Sequence, residues 1–302
     1  MTATKTVQLV VGPTSTGKTS LMLEVCKQTG GSIISADSRQ IVKYMDYGTG
    51  KLPIDLAQAS DIHKNDGKWT IQGVDIYGYD LITPEQFFSA YDFAKYALET
   101  AAKLLSQHKQ VYIVGGTGFY IDLLTGRVIP ANVEPNFELR KLLNGMSVVE
   151  LATKLEDLSK DTAKKTDLSN KPRLVRALEI LLAQKVTNKA KLPYLTDVNF
   201  TYLGLTGPNE LLFSRADIWL ESIWDNLLAE ISDLRARGYG NSHRLQGLVY
   251  KSALSGEKER AKFDLHAYIR RQKTYFNKNA DIQWFDISRK DWREDAKAHI
   301  IA

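Results

Sequence analysis

The chain has 302 residues, 43% of them hydrophobic and 25% charged, with a formal net charge of +5. That is enough for one large core or two modest domains. No apolar stretch approaches the length of a membrane span, the N-terminal MTATKTVQLV carries no secretory signal, and the single cysteine, Cys26, excludes internal disulfides and multi-cysteine metal sites. The expectation is a soluble, cytoplasmic protein.

Residues 7–11 are an apolar run that predicts a strand, and Gly12-Pro13-Thr14-Ser15-Thr16-Gly17-Lys18-Thr19 follows it into the helix-forming run 20–25. This is the phosphate-binding loop (P-loop) pattern in its strand-loop-helix setting. Two glycines let the backbone curl around an oxyanion, and successive N–H groups and the helix N-terminus face it. Lys18 adds a positive charge, and Thr19 offers a hydroxyl to Mg²⁺. The loop reads as a grip for a di- or triphosphate. Cys26, inside the first helix, reads as a small buried filler without a catalytic role.

Residues 32–35 and 111–114 predict two further strands, and Pro84 opens a helix predicted to run to about His108. Beyond Gly126 the composition becomes helix-forming, rich in Leu, Lys and Glu, with no strand signal from Asn132 to Lys165. A further helix is predicted from near Arg173, a returning strand over 202–205, and helices over 210–237 and from Leu245 onward. Such alternation predicts an α/β fold, a P-loop-type parallel sheet flanked by helices. Residues 1–126 and 173–302 are expected to form the core with its C-terminal basic helices, and 127–172 a helical insertion domain.

The charge is unevenly spread. Residues 160–176 and 262–278 each balance to +4, which leaves −3 for the remainder. Either segment alone fits a solvated helix face. In the second, Tyr268, Tyr275 and Phe276 interleave with Arg270, Arg271 and Lys273, a mixture suited to phosphate contact and base stacking. Nucleic acid is thus a candidate partner.

The acids narrow what the loop serves. Val111-Tyr112-Ile113-Val114 runs into Gly115-Gly116-Thr117-Gly118 without the Asp that motor-type ATPases place there for Mg²⁺, and there is no Asn-Lys-X-Asp guanine reader. Asp37 instead closes the strand 32–35. Ligands of doubly wound sheets sit beyond the C-terminal strand ends, so Asp37 is expected to share a crevice with Lys18 and Thr19. It reads as a general base or a metal-linked carboxylate, with a helix cap or turn former as the structural alternative.

A series of motifs in order then resembles one family. The P-loop, Ile34-Ser35-Ala36-Asp37-Ser38, Met45-Asp46-Tyr47-Gly48-Thr49-Gly50-Lys51-Leu52-Pro53, Phe88-Ser89-Ala90-Tyr91-Asp92-Phe93 and Val114-Gly115-Gly116-Thr117-Gly118-Phe119-Tyr120 are similar to the signatures of tRNA dimethylallyltransferases. So are Arg173-Leu174-Val175-Arg176-Ala177-Leu178-Glu179, the stretch from Gln246 to Lys251, and Arg270-Arg271-Gln272-Lys273-Thr274-Tyr275-Phe276 leading to Ile282-Gln283-Trp284. The resemblance is nearly end to end and weakest between Asn132 and Lys165.

The resemblance implies transfer of a dimethylallyl group from dimethylallyl diphosphate to N6 of the adenosine just 3′ of the anticodon, releasing pyrophosphate. Asp37 would take the amine proton. Gly12 to Thr19, Lys18 above all, with Mg²⁺ on Thr19 and with Arg215, would hold the diphosphate. Thr117 would line the channel near the reacting amine. The tRNA anticodon stem-loop would be met by Asp37, Ser38, Arg39 and Gln40, by Arg140, by Pro172, Arg173, Leu174, Val175 and Arg176, by Gln246, Gly247, Leu248, Val249, Tyr250 and Lys251, and by Arg270 and Arg271. For the aliphatic side chains of Leu174, Val175 and Leu248, ordinary helix packing competes with contact to RNA. No membrane partner is expected, and the protein is expected to be a monomer.

Several positions depart from the family pattern. Trp219 stands where a second arginine would follow Arg215, Val249-Tyr250 replaces Gly-Tyr, and Ser169-Asn170 replaces Asn-Asp. Arg215 or Arg244 can compensate for the lost arginine. The alternatives are an adenylate isopentenyltransferase acting on free nucleotide, an ATP-dependent small-molecule kinase, and a non-catalytic tRNA binder. The basic C-terminal third argues against the first, because a small acceptor needs no such surface.

Overall fold

A computed structural model describes residues 5–52, 61–131, 133–183 and 192–301. Pro53 of the third motif and Asn132 lie outside the described residues. Two compact units make up the chain: residues 1–128 with 193–302, and residues 129–192.

In the larger unit the apolar run of β1 (Lys5–Val11) is buried from Val7 onward, as a central parallel strand must be. It leads through the P-loop into α1 (Lys18–Thr29), then β2 (Ser32–Ser35). A meander of β3 (Ile62–Asn65), β4 (Lys68–Ile71) and β5 (Val74–Tyr77) precedes α2 (Ala90–Ser106), β6 (Val111–Gly115) and α3 (Gly118–Leu124). After the second unit come β7 (Val198–Thr206), α8 (Asn209–Ala236), a 3-10 turn (His243–Gln246), α9 (Val249–Leu254), α10 (Lys258–Phe276), β8 (Gln283–Asp286) and α11 (Trp292–Ile301), numbered so that α4 to α7 fall in the second unit below.

The strands form one sheet in the order β3-β4-β5-β2-β6-β1-β7-β8. Its core from β5 to β8 is parallel, and only β3 and β4 join antiparallel. The expected parallel sheet is present, and the C-terminal ends of β1, β2 and β6 align. Val11 pairs with Gly115 and Ser35 with Val114, so the loops after these strands open on one edge. Cys26 is buried on α1, and burial pushes its thiol up to about 12.

One helix start differs from expectation. Residues 84–86 make a turn, and α2 begins six residues after Pro84, at Ala90. A capping box decides it: Ser89 Oγ accepts the Asp92 N–H at 3.2 Å, and Asp92 Oδ2 accepts the Ser89 N–H at 2.8 Å. Reciprocal satisfaction of two orphan donors outweighs the N1 preference of proline. The strands β3, β4, β5 and β8 were not foreseen.

The smaller unit contains α4 (Phe137–Asn144), α5 (Val148–Leu158), α6 (Lys160–Lys165) and α7 (Lys171–Leu182). Leu174, Val175 and Leu178 of α7 pack with Leu143, Leu151, Leu155 and Ala163 in one apolar cluster. Burying each of the three is worth about 1.5–3 kcal/mol, far more than any exposed ion pair nearby. The expected boundary at 172 is therefore corrected: α7 belongs with the insertion, which spans residues 129–192.

A candidate active-site cleft

The loops at the strand ends enclose a cleft of about 370 Å³. The P-loop forms one wall through Thr14, Ser15, Gly17, Lys18 and Thr19, and Asp37, Arg39 and Gln40 enter from the end of β2. Gly115 and Gly116 close the end of β6. Leu52, Ile218, Trp219, Leu248, Leu265 and Tyr268 make the rest of the lining largely apolar.

Gly17 caps α1 in the left-handed conformation, φ 86°, which an L side chain adopts only with strain. It aims the first N–H groups of α1 into the cleft. Lys18 is buried, and its Nζ donates to Pro13 O at 2.7 Å and Thr16 Oγ1 at 3.3 Å. Burial pulls this ammonium down to about 8 against the opposing pull of Asp37, so the two side chains share one electrostatic environment. Arg215 donates from Nε to Ser15 O at 2.7 Å, which fixes its guanidinium against the loop.

Asp37 Oδ1 accepts the Arg39 N–H at 2.8 Å, the bond of an Asx turn. Turn former and cleft carboxylate are therefore not exclusive readings, since one side chain does both. Burial pushes its carboxyl above the ordinary value, more than the Arg39 amide and the Lys18 charge pull it down. That is the direction a general base working near neutral pH requires. The close approach of β2 and β6 holds it there. A β-carbon on Gly115 would lie 2.1 Å from Ala36 O, so any side chain at 115 would displace the Asp37 turn.

Thr117 caps α3 just behind this turn. Its Oγ1 accepts the Ser38 N–H at 3.0 Å, and its hydroxyl also bonds that of Tyr268, whose phenol is pushed up by burial and by Asp37. Gln40, buried, receives the Ser35 hydroxyl at 2.6 Å and donates to Gly50 O at 3.0 Å, which ties the 48–52 loop to the cleft. Glu230 of α8 holds the other side of that loop by accepting the N–H groups of Asp46 and Tyr47 and the Tyr250 hydroxyl. Burial pushes the Glu230 carboxyl up, and these donors offset only part of it.

Sequence reasoning missed Gln272. This buried α10 side chain accepts the Thr14 N–H at 2.9 Å and donates to Gly116 O at 2.9 Å, joining the two rims of the cleft. It sits in a motif noted for its arginines, and the only available signal was a neutral amide on the apolar face of a basic helix. Glu230 and Arg293 were also missed. Arg244, one candidate substitute for the lost arginine, does not line the cleft and donates to Gln86 O at 3.5 Å beside Arg39.

The residues expected to meet RNA divide by exposure. Within the larger unit Gln246, Lys251, Arg270 and Arg271 are exposed, and Leu248 lines the cleft. Val249 and Tyr250 are core side chains, as is Phe276. Tyr275 bonds Asp122, and Lys273 donates to Gly207 O and Asn209 Oδ1. The expected stacking on Phe276 is therefore corrected, because its ring is buried beneath α10, while Tyr275 stays half-buried with its hydroxyl tied to Asp122. Within the helical unit Pro172 and Arg173 are exposed, whereas Leu174 and Val175 are buried, so packing wins there as well. Arg140 reaches Glu179 with both Nε and Nη2 at 2.8 Å, and Arg176 pairs with the same carboxylate.

The sequence model of the IPP transferase family matches residues 40–279, and that of isopentenyl transferases matches residues 5–66. A tRNA dimethylallyltransferase of Acetivibrio thermocellus is 33% identical, over 96% of this chain and 94% of its own. The chain belongs to the IPP transferase family. A tRNA dimethylallyltransferase of Staphylococcus carnosus is 29% identical over 95% of the chain. The crystal structure of a tRNA isopentenylpyrophosphate transferase from Bacillus halodurans superposes with a TM-score of 0.67 at 26% identity, covering 99% of this chain and 96% of that one. A eukaryotic dimethylallyltransferase acting on tRNA shares the fold, with a TM-score of 0.72 at 20% identity, covering 97% of this chain and 77% of that one.

Proposed function

We propose that this IPP transferase moves a dimethylallyl group from dimethylallyl diphosphate to N6 of the adenosine 3′ to the anticodon of tRNA. One observation carries the reading. A phosphate loop and a carboxylate of raised proton affinity face one cleft whose remaining wall is apolar, so diphosphate, prenyl tail and attacking amine each meet matching chemistry.

The N6 lone pair is delocalised into the purine ring, so removal of its proton by Asp37 as the C–N bond forms assists attack. The allylic C–O bond breaks and its electrons leave with pyrophosphate. Lys18, Arg215 and the α1 amides stabilise that growing charge more in the transition state than before it. Thr117, through the Ser38 amide, keeps the Asp37 turn in place. The donor set suits Mg²⁺, a hard cation: Thr19 lines the cleft with a hydroxyl beside the diphosphate grip, and among the described residues no His, Cys, Asp and Glu cluster competes for a softer metal. Bound by Thr19 and the diphosphate, Mg²⁺ would neutralise charge on the leaving group.

The target base is stacked in an RNA loop and must be extruded into the cleft at a cost of a few kcal/mol. Arg39, Gln246 and Lys251 are the groups offered to its backbone, with Arg173 on the helical unit. The same reading takes the protein as a cytoplasmic monomer. Among the described residues no helix is long and apolar enough to cross a membrane.

Nucleoside mass spectrometry of tRNA incubated with the protein and dimethylallyl diphosphate tests the reaction. N6-dimethylallyladenosine is expected, and it should vanish with Asp37→Ala while tRNA still binds. Free AMP is the second acceptor to test, because the isopentenyl transferase match at residues 5–66 takes in the P-loop and Asp37 but none of the basic C-terminal helices. Prenylated AMP with unmodified tRNA would replace the main reading.

A further inference from the structure

The C-terminal helix brings a second guanidinium to the phosphate loop. A β-carbon placed on Gly17 would lie 3.4 Å from Arg215 Nη2 and 3.9 Å from Arg293 Nη2, so arginines from α8 and α11 converge on the residue that opens α1. Arg215 is fixed by Ser15 O. Arg293 is held by Nη1 on Glu24, but Glu24 also has Lys297 at 3.5 Å, and Lys297 has Glu294 at 2.6 Å. Glu24 therefore keeps a cation when Arg293 turns toward the loop.

The charge balance gives this arrangement a use. A prenyl diphosphate brings up to three negative charges, and pyrophosphate leaves with more. Lys18, Arg39 and Arg215 are the cationic side chains lining the cleft, Arg39 on the Asp37 side; of these Arg215 alone joins Lys18 at the P-loop, and one turn beyond Arg215 the wall is the neutral ring of Trp219. A guanidinium beside the loop supplies paired donors to phosphate oxygens. We infer that Arg293 is a diphosphate-binding residue, which reaches the donor from the C-terminal helix and supplies the second arginine of the site. The inference rests on the reading of this cleft as the donor site.

Titration calorimetry with inorganic pyrophosphate separates the two. Arg293→Gln is expected to weaken binding by about 10-fold to 100-fold, the range of a charge-assisted contact. Glu24→Gln breaks the same ion pair but frees the guanidinium, and it is expected to match or exceed the affinity of the unaltered protein. Should Arg293→Gln fail to fold, Arg293→Lys keeps a cation for Glu24 and is expected to lose affinity several-fold. Affinity unchanged by the substitution at 293, or lost equally in Glu24→Gln, overturns the inference and leaves the donor site standing. No binding of pyrophosphate by the unaltered protein removes the donor site itself.

Discussion

Asp37 meets opposed demands from folding and chemistry. Its folded pKa lies above the unfolded value, so between those two values the folded state holds the extra proton and stability falls as pH rises. The ionised form of the buried carboxylate is a net cost to the fold. Asp37→Asn keeps an oxygen for the Arg39 amide and removes the charge. It should melt higher by calorimetry at pH 7 while kcat drops by about 10²-fold to 10⁴-fold. A lower melting temperature would contradict the assignment of burial as the dominant influence. Lys18 yields a second expectation. Its ammonium titrates near 8 before an anion arrives, and an anion binds the protonated form. Affinity for pyrophosphate should then fall by up to about tenfold per pH unit above 8 and stay level below it as far as this group is concerned. Calorimetry across pH 7–10 reads the limb, and Lys18→Met should abolish it.

Glu179 on α7 does for the helical unit what no apolar contact can, since its carboxylate collects Arg140, Arg176 and the Asn136 N–H. Burial pushes its pKa up, but these partners outweigh burial and leave it below 4.5. A lowered carboxylate contributes stability that is present above the unfolded value and lost as pH falls through the folded one. Glu179→Ala should cost about 1–3 kcal/mol, discounted for the partial exposure of both arginines, and amide exchange over 136–182 measures it. The elements legible in the sequence were those whose signal is local. The P-loop, the Asp37 turn and the strands β1, β2, β6 and β7 all announce themselves within ten residues. The start of α2 depended on weighing Pro84 against Ser89 and Asp92. In the β3 to β5 meander, β4 and β5 alternate buried and half-buried side chains, but each strand is only four residues long and β3 is mostly exposed, too little to separate from a loop. The membership of α7 in the helical unit is a matter of tertiary burial, and no local pattern encodes it.

At the scale of the whole molecule, the residues that finish the cleft come from far along the chain. Gln272 meets Thr14 across 258 positions, and Arg215 meets Ser15 across 200. Such contacts are set by topology, which is why Gln272, Glu230 and Arg293 escaped a reading of motifs. The excess positive charge is also a property of the whole. Arg270 and Arg271 are exposed on α10, and replacing both with Ala should lower the slope of log affinity for tRNA against log salt by about 2. Filter binding from 50 to 300 mM salt checks this, and an unchanged slope would assign them to plain solvation. Finally, Cys26 gives the chain a silent background for spectroscopy. A thiol buried on the inner face of α1, and held protonated by that burial, will resist maleimides in the folded protein, so a cysteine engineered at Arg173 or Arg271 would carry the only dye and report RNA arrival at that spot.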